Sequence, residues 1–289
     1  GVDGVRVDGA RHLFEEGENQ ADTASTHAWF KQFRPFYKSV NPQAMVVAEV
    51  WTSSFAVVKY IKGDEVDLAF DFDLASAWVS GVMNRDGRKL RSITTSETST
   101  FENQQVAIFL TNHDINRIMS QLGRDFDKAK AAATLLLTSP GVPFIYYGEE
   151  IGMTGIKPDE KIRTPMQWDS TEKAGFTTGS PWISLNDNIE TVNVAVQDKD
   201  PASLLAHYRA LIQARNRHAA LRIGKYIKVD PNNDSIYAAV RQSANETVVV
   251  LINLEKTEIS DYALDFTLTG LKGNFTVEAL LGEGSFAPL

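Results

Sequence analysis

The chain contains no cysteine. That removes disulfides, thiolate zinc sites and cysteine nucleophiles, and it leaves the redox compartment open, because cysteine-free proteins occur in oxidising and reducing surroundings alike. Basic residues are also scarce: 29 Lys and Arg stand against 37 Asp and Glu, a formal net charge of -8. Neutralising phosphates takes clustered cations, so nucleic acid is not an expected partner. No apolar run approaches the roughly 18 residues of a membrane-spanning helix, and no membrane partner is expected either. The five histidines lack any paired metal-ligand spacing, which argues against zinc hydrolysis. Internal repeats and low-complexity tracts are missing, and any charged-then-apolar leader is expected upstream of Gly1.

What remains is an ordinary globular composition over 289 residues, with 43% hydrophobic and 23% charged residues. This suits a folded body of about two domains. The first residues, Gly1-Val-Asp-Gly-Val-Arg-Val-Asp8, read as a strand already under way, so the sequence is expected to be a piece of a longer chain.

Up to residue 223 short β-branched or aromatic runs alternate with helix-like stretches, a βαβα rhythm that predicts a parallel sheet. Strands are predicted at Val2–Val7, Ala44–Val50, Val66–Phe72, Val106–Thr111 and Val142–Tyr147. Helices are predicted around Thr26–Val40, Ser54–Ile61, Leu74–Asn84, Asp127–Leu137 and Ala202–Ala220. The Ser/Thr-rich stretch Ser92–Ser99 reads as a surface connection, and the aromatics from Trp29 to Tyr37 as core packing. Residues 224–289 change to short alternating runs between turn residues, at Tyr226–Val229, Ile236–Arg241, Val248–Leu254, Tyr262–Leu268 and Phe275–Leu280, which predicts a small antiparallel β domain.

Chemically capable side chains cluster where apolar runs stop, and the C-terminal ends of parallel strands are where such sheets place their sites. In Val5-Arg6-Val7-Asp8 the alternation of a strand points Arg6 and Asp8 to one side, a pairing that favours the ionised acid. Taken alone, a structural ion pair is the simpler reading of this pairing. Val46-Val47-Ala48-Glu49-Val50-Trp51 ends with a glutamate among apolar and aromatic neighbours, surroundings that raise a carboxyl pKa and suit a proton donor. Phe109-Leu110-Thr111-Asn112-His113-Asp114 ends in an amide, an imidazole and a carboxylate, and taken alone capping of a helix from Ile115 explains Asp114 equally well. Three carboxylates at three strand ends together suit glycoside hydrolysis, which needs a nucleophile, an acid and stabilisation of an oxocarbenium-like transition state.

These segments resemble a known family. Residues 4–12 (Gly-Val-Arg-Val-Asp-Gly-Ala-Arg-His), 49–51 (Glu-Val-Trp) and 109–114 (Phe-Leu-Thr-Asn-His-Asp) are similar, in order and spacing, to three of the four signature regions of glycoside hydrolase family 13, the α-amylase family. Residues 143–152 resemble its eighth barrel strand, and Arg163-Thr-Pro-Met-Gln-Trp-Asp169 resembles a segment that follows in maltooligosaccharide-active members.

The resemblance implies an α/β fold, strands 4–8 of a (β/α)8 TIM barrel over residues 1–223, followed by an all-β sandwich over 224–289. It implies Asp8 as nucleophile, Glu49 as general acid/base and Asp114 as transition-state stabiliser. Arg6, Arg11, His12, Trp51, His113 and Arg163 would line the substrate site, and the His12 carbonyl would ligate a structural calcium ion. No organic cofactor is implied. The expected activity is retaining cleavage of α-1,4-glucosidic bonds in starch or maltooligosaccharides, with α-glucosidase, neopullulanase and transglycosylase as alternatives and a non-catalytic relative as the contrary reading. The first signature region and first three strands are absent, so the N-terminal half of the same barrel is an expected partner. The resemblance leans toward a secreted or periplasmic protein without deciding the compartment.

Overall fold

The structure is a computed structural model that describes residues 2–101 and 105–282. The chain divides into two compact units. One comprises Gly1–Ser76, Ser96–Phe109 and Gly141–Phe144; the other comprises Ala77–Thr95, Leu110–Pro140 and Ile145–Leu289.

The first unit is built on five parallel strands: β1 (Gly4–Val7), β2 (Met45–Ala48), β3 (Leu68–Ala69), β4 (Ala107–Ile108) and β5 (Val142–Pro143). β1 pairs with β2, β2 with β3 and β4 with β5, and a parallel bridge from Phe70 to Ala107 links the two groups. Each predicted run contains its strand, but the paired cores are only two to four residues long. The flanking residues instead bend away as loops, which is where the polar strand ends sit. Val47, Leu68 and Ala107 form a buried cluster against Phe70 and Phe144. The outer strands are open, with Val5 on β1 and Val142 on β5 each 41% exposed.

Helix α1 (Ala24–Val40) starts where the Thr23 hydroxyl accepts the Thr26 N–H at 3.2 Å. Of its aromatics Phe30 and Tyr37 are buried, whereas Phe36 is exposed and does not belong to the core. The next prediction resolves into a short α2 (Ser54–Val57) continued by a 3-10 turn, Val58–Ile61. Asp71 accepts the Leu74 N–H at 3.0 Å and opens α3 (Phe72–Met83).

The Ser92–Ser99 stretch is not a surface connection. It lies within α4 (Gly87–Thr100), an element the composition concealed. The buried positions Leu90, Arg91, Thr94 and Glu97 recur at helical spacing. The hydroxyls of Thr94, Thr95 and Thr100 each bond the carbonyl four residues back, so they are satisfied inside a helix rather than competing with it.

In the second unit α5 (Ile118–Gln121) leads to α6 (Phe126–Thr138), capped by Asp125, and then to α7 (Asp159–Ile162), α8 (Val194–Gln197), α9 (Leu204–Arg217) and α10 (Ala219–Ile223). Ile151, Met153, Met166 and Val192 of the long segment between α6 and α9 pack together with Leu205 of α9. Two buried arginines close the C-terminal end of α6, where helix carbonyls lack partners: Arg215 donates to Leu137 and Ser139 at 3.0 Å, and Arg241 donates to Thr138 at 2.5 Å.

Beyond α10 the chain turns to antiparallel pairing. β6 (Lys225–Lys228), β8 (Ile236–Gln242) and β9 (Thr247–Asn253) form one sheet, and β7 (Asp230–Pro231) pairs with β10 (Leu264–Asp265). Val229, Ile236, Ala238 and Val240 make their core, with Tyr262, Leu264 and Phe266 packed on it. The Tyr262–Leu268 prediction shrinks to β10 and a 3-10 turn. Phe275–Leu280 forms no strand among the described residues, because alternation gives a strand only where tertiary packing supplies a pairing partner. Residues 283–289 of the expected C-terminal domain lie outside the described ones. Among the described residues no helix is long and apolar enough to cross a membrane.

Candidate active site

In the first unit β1 and β2 deliver two carboxylates to the same place. Their register pairs Val7 with Ala48, so Asp8 and Glu49 follow one residue beyond the last pair. Glu49 N–H donates to the Val7 carbonyl at 2.9 Å and Ala10 N–H donates to the Glu49 carbonyl at 3.0 Å, which extends the ladder past both acids. Gly9 then takes a left-handed φ of 48° and turns the chain into the 3-10 helix Ala10–His12, leaving Asp8 at the tip.

Arg6 joins the two acids. Its guanidinium lies 2.8 Å from Asp8 and 2.5 Å from Glu49. The environments differ sharply: the Asp8 side chain is 79% exposed and that of Glu49 only 9%. Burial lifts the Glu49 carboxyl above its ordinary value, and the hydrogen bond and charge of Asp8 add to this, against the opposing pull of Arg6 and the Gly9 N–H.

Around this pair the sequence-predicted residues are tied down. Arg11 donates to the Trp51 carbonyl at 2.9 Å and pairs with Asp22, whose other oxygen accepts the Tyr60 hydroxyl at 2.7 Å. Trp51 stacks on Phe72 with centroids 4.6 Å apart and an interplanar angle of 11°, while the residue stays 52% exposed. His12 holds the Gln20 carbonyl through Nδ1 at 2.9 Å. Asp22, Tyr60 and Phe72 carried no motif that marks them; only the fold brings them here.

In the second unit His113, Asp114 and Arg163 come together. Arg163 Nη2 lies 2.6 Å from Asp114 and 2.8 Å from Asp159, and its Nε donates to the His113 carbonyl at 2.8 Å. His113 Nε2 lies 3.2 Å from the second Asp114 oxygen. Asp114 does not cap a helix: the next one begins at Ile118, and the Asp114 N–H is itself received by the Asn112 side chain at 2.9 Å. Deeper in this unit Arg117 lies against the Tyr146 and Tyr147 rings, at 4.7 and 4.6 Å. Fully buried Glu149 accepts the Tyr208 hydroxyl at 3.1 Å, and burial pushes its carboxyl up to about 8.

A parallel α/β sheet with carboxylates at adjacent strand ends, one exposed and one buried and bridged by arginine, defines the class of barrel glycosidases. The family model for the alpha amylase catalytic domain matches residues 1–224, and the chain belongs to that family, glycoside hydrolase family 13. The family's catalytic domain is a TIM barrel, and the five parallel strands belong to that fold. Alpha-amylase 3 of Dictyoglomus thermophilum is 34% identical over 264 residues, covering 89% of this chain and 51% of that protein. Among solved structures, an alpha-amylase from H. orenii is similar with a TM-score of 0.78 and 33% identity, covering 96% of this chain and 57% of the other. An isomaltulose synthase from Erwinia rhapontici in complex with D-glucose is similar with a TM-score of 0.77 and 27% identity, covering 88% and 57%. The chain thus spans about half the length of the relatives it matches.

Proposed function

We propose that the protein carrying this chain is a retaining hydrolase of α-1,4-glucosidic bonds in starch or maltooligosaccharides, working by double displacement. The observation that carries this reading is Arg6 held between exposed Asp8 and buried Glu49, two acids whose surroundings push them toward opposite tasks. An Asp8 oxygen attacks the anomeric carbon while the Glu49 proton passes to the departing glycosidic oxygen, leaving a glycosyl ester on Asp8. Glu49, now ionised, takes a proton from water, which breaks the ester and restores both acids.

The family motif assigns Asp114 and His113 to hydroxyls of the reacting sugar, Arg11 and His12 to the leaving glucan, and Trp51 to stacking on a sugar face. Its exposed ring face supports that last role. Arg163 acts through Asp114, in keeping with its 2.6 Å ion pair. We take residues 1–223 as part of the catalytic barrel and 224–289 as a β-sandwich domain, supported by the start of antiparallel pairing at Lys225. The open faces of β1 and β5 and the greater length of the relatives support a barrel completed by its N-terminal strands.

A calcium ion fits these residues poorly by themselves. Among the described residues no group of three or more acidic or His side chains could hold a metal. The His12 carbonyl would be one ligand of a site whose other oxygens lie elsewhere.

A transglycosylase reading has a specific observation in its favour, the similarity to an isomaltulose synthase. Both chemistries share the glycosyl ester and differ in whether water or a sugar hydroxyl receives it. Chromatography of maltotetraose products separates them. Shorter sugars released as the α-anomer support the hydrolase, dominance of longer products supports the transglycosylase, and absence of turnover supports a non-catalytic relative.

A further inference from the structure

Under the Trp51–Phe72 stack lies a second pair of acids that the double displacement does not use. Asp71 is 1% exposed and Glu97 8%. One Asp71 oxygen accepts the Ser54 hydroxyl and the Leu74 N–H, each at 3.0 Å. The Glu97 carboxyl reaches the side chains of both Asp71 and Ser54. Yet Asp71 Oδ2 and Glu97 Oε2 are buried without a hydrogen-bond donor among the described residues. Two ionised carboxylates held out of water against each other are mutually destabilising, and a proton between them supplies the missing donor. A metal ion is not the alternative, since no third ligand is placed to complete a site among the described residues.

We propose that Asp71 and Glu97 share one proton, and that this proton fixes Ser54 and with it the Glu49–Ser54 loop that carries the acid and the sugar platform. The loop is pinned at both ends: Arg11 holds the Trp51 carbonyl, and Ser54 bonds Asp71 through its hydroxyl and Asp73 through its N–H at 3.1 Å. The charged groups facing Glu97 are Asp71 and Asp73 at the start of α3, and from α2 Ser54 brings only its hydroxyl. Burial, with the charge of both aspartates, pushes Glu97 up to about 7. Above that pH the proton leaves, the two carboxylates repel, and the anchor loosens. Asp71 and Glu97 are positioning residues, and only the kinetic consequence rests on the proposed hydrolase activity.

Hydrogen exchange of the peptide covering residues 49–56, corrected for intrinsic rates, tests this on the full-length protein. Protection should fall by about tenfold between pH 5.5 and 8.5 in the wild type. It should stay level in Glu97→Gln, whose amide donates at every pH. Asp71→Asn supplies the donor from the other side and serves if Glu97→Gln does not fold. The alkaline limb of kcat/KM should move up by about one pH unit in the same variant. Protection that is independent of pH in the wild type overturns the shared proton, and pH-dependent protection with an unmoved kinetic limb overturns the positioning role. Absence of turnover in the wild type counts against the hydrolase reading instead, and the exchange data still decide the proton.

Discussion

The guanidinium of Arg6 reaches the carboxylate of Glu49 at 2.5 Å across the β1–β2 pair, while its other nitrogen holds Asp8 on its own strand. One cation thus bridges both proposed reacting acids. Arg6→Ala should lower kcat on maltotetraose by about two to three powers of ten. Glu49 should then titrate at higher pH, because the charge that favours its ionised form is gone. Steady-state kinetics and NMR titration of the carboxyl check the two effects.

Glu49 is buried beside Val50 and lifted above the ordinary carboxyl range, as a proton donor requires. Glu49→Gln should slow maltooligosaccharides by about a thousandfold and activated aryl glucosides far less, because only the former need a proton on the leaving oxygen. Comparing kcat/KM for the two substrate types measures the difference. Equal losses remove Glu49 from the acid role.

Trp51 offers one face to solvent and the other to Phe72. Trp51→Ala should raise KM about fivefold with a small change in kcat, the expected loss of one sugar-stacking contact of about 1 kcal/mol. Phe72→Leu should give a weaker effect in the same direction by letting the indole tilt.

Glu149 has a stability role that a pH series can read. Its carboxyl is pushed from 4.5 to about 8 by burial, so the folded state binds the proton more tightly than the unfolded one. The associated stability is complete below pH 4.5 and is lost as pH rises through 8, a total on the order of 5 kcal/mol. Thermal unfolding of Glu149→Gln should fall less steeply with pH across that window than the wild type. Parallel curves contradict the assignment.

The sequence alone exposed the parallel sheet and the strand-end acids because both depend on local pattern: apolar runs that stop at a polar residue, and alternation that puts Arg6 and Asp8 on one side. The extent of the strands was not legible, since pairing of as few as two residues is decided by tertiary packing. Helix α4 was hidden because Ser and Thr read as loop formers until their back-bonds to Leu90, Arg91 and Ser96 are seen. Phe36 looked like core because its neighbours are aromatic, though its position on α1 faces out. The partners of the site residues, Phe72 under Trp51 and Asp22 on Arg11, join segments far apart in sequence, and no spacing rule reaches across that distance.

In the proposed double displacement Asp8 is the nucleophile, and the reaction stands or falls on a covalent bond to that residue. A slow fluoroglycosyl fluoride substrate, followed by peptide mass spectrometry of the full-length protein, traps the glycosyl ester if one forms. One added glycosyl mass is expected on the peptide bearing Asp8 and none in Asp8→Asn, with turnover in that variant reduced by several powers of ten. A label on any other residue, or undiminished turnover of Asp8→Asn, would contradict it.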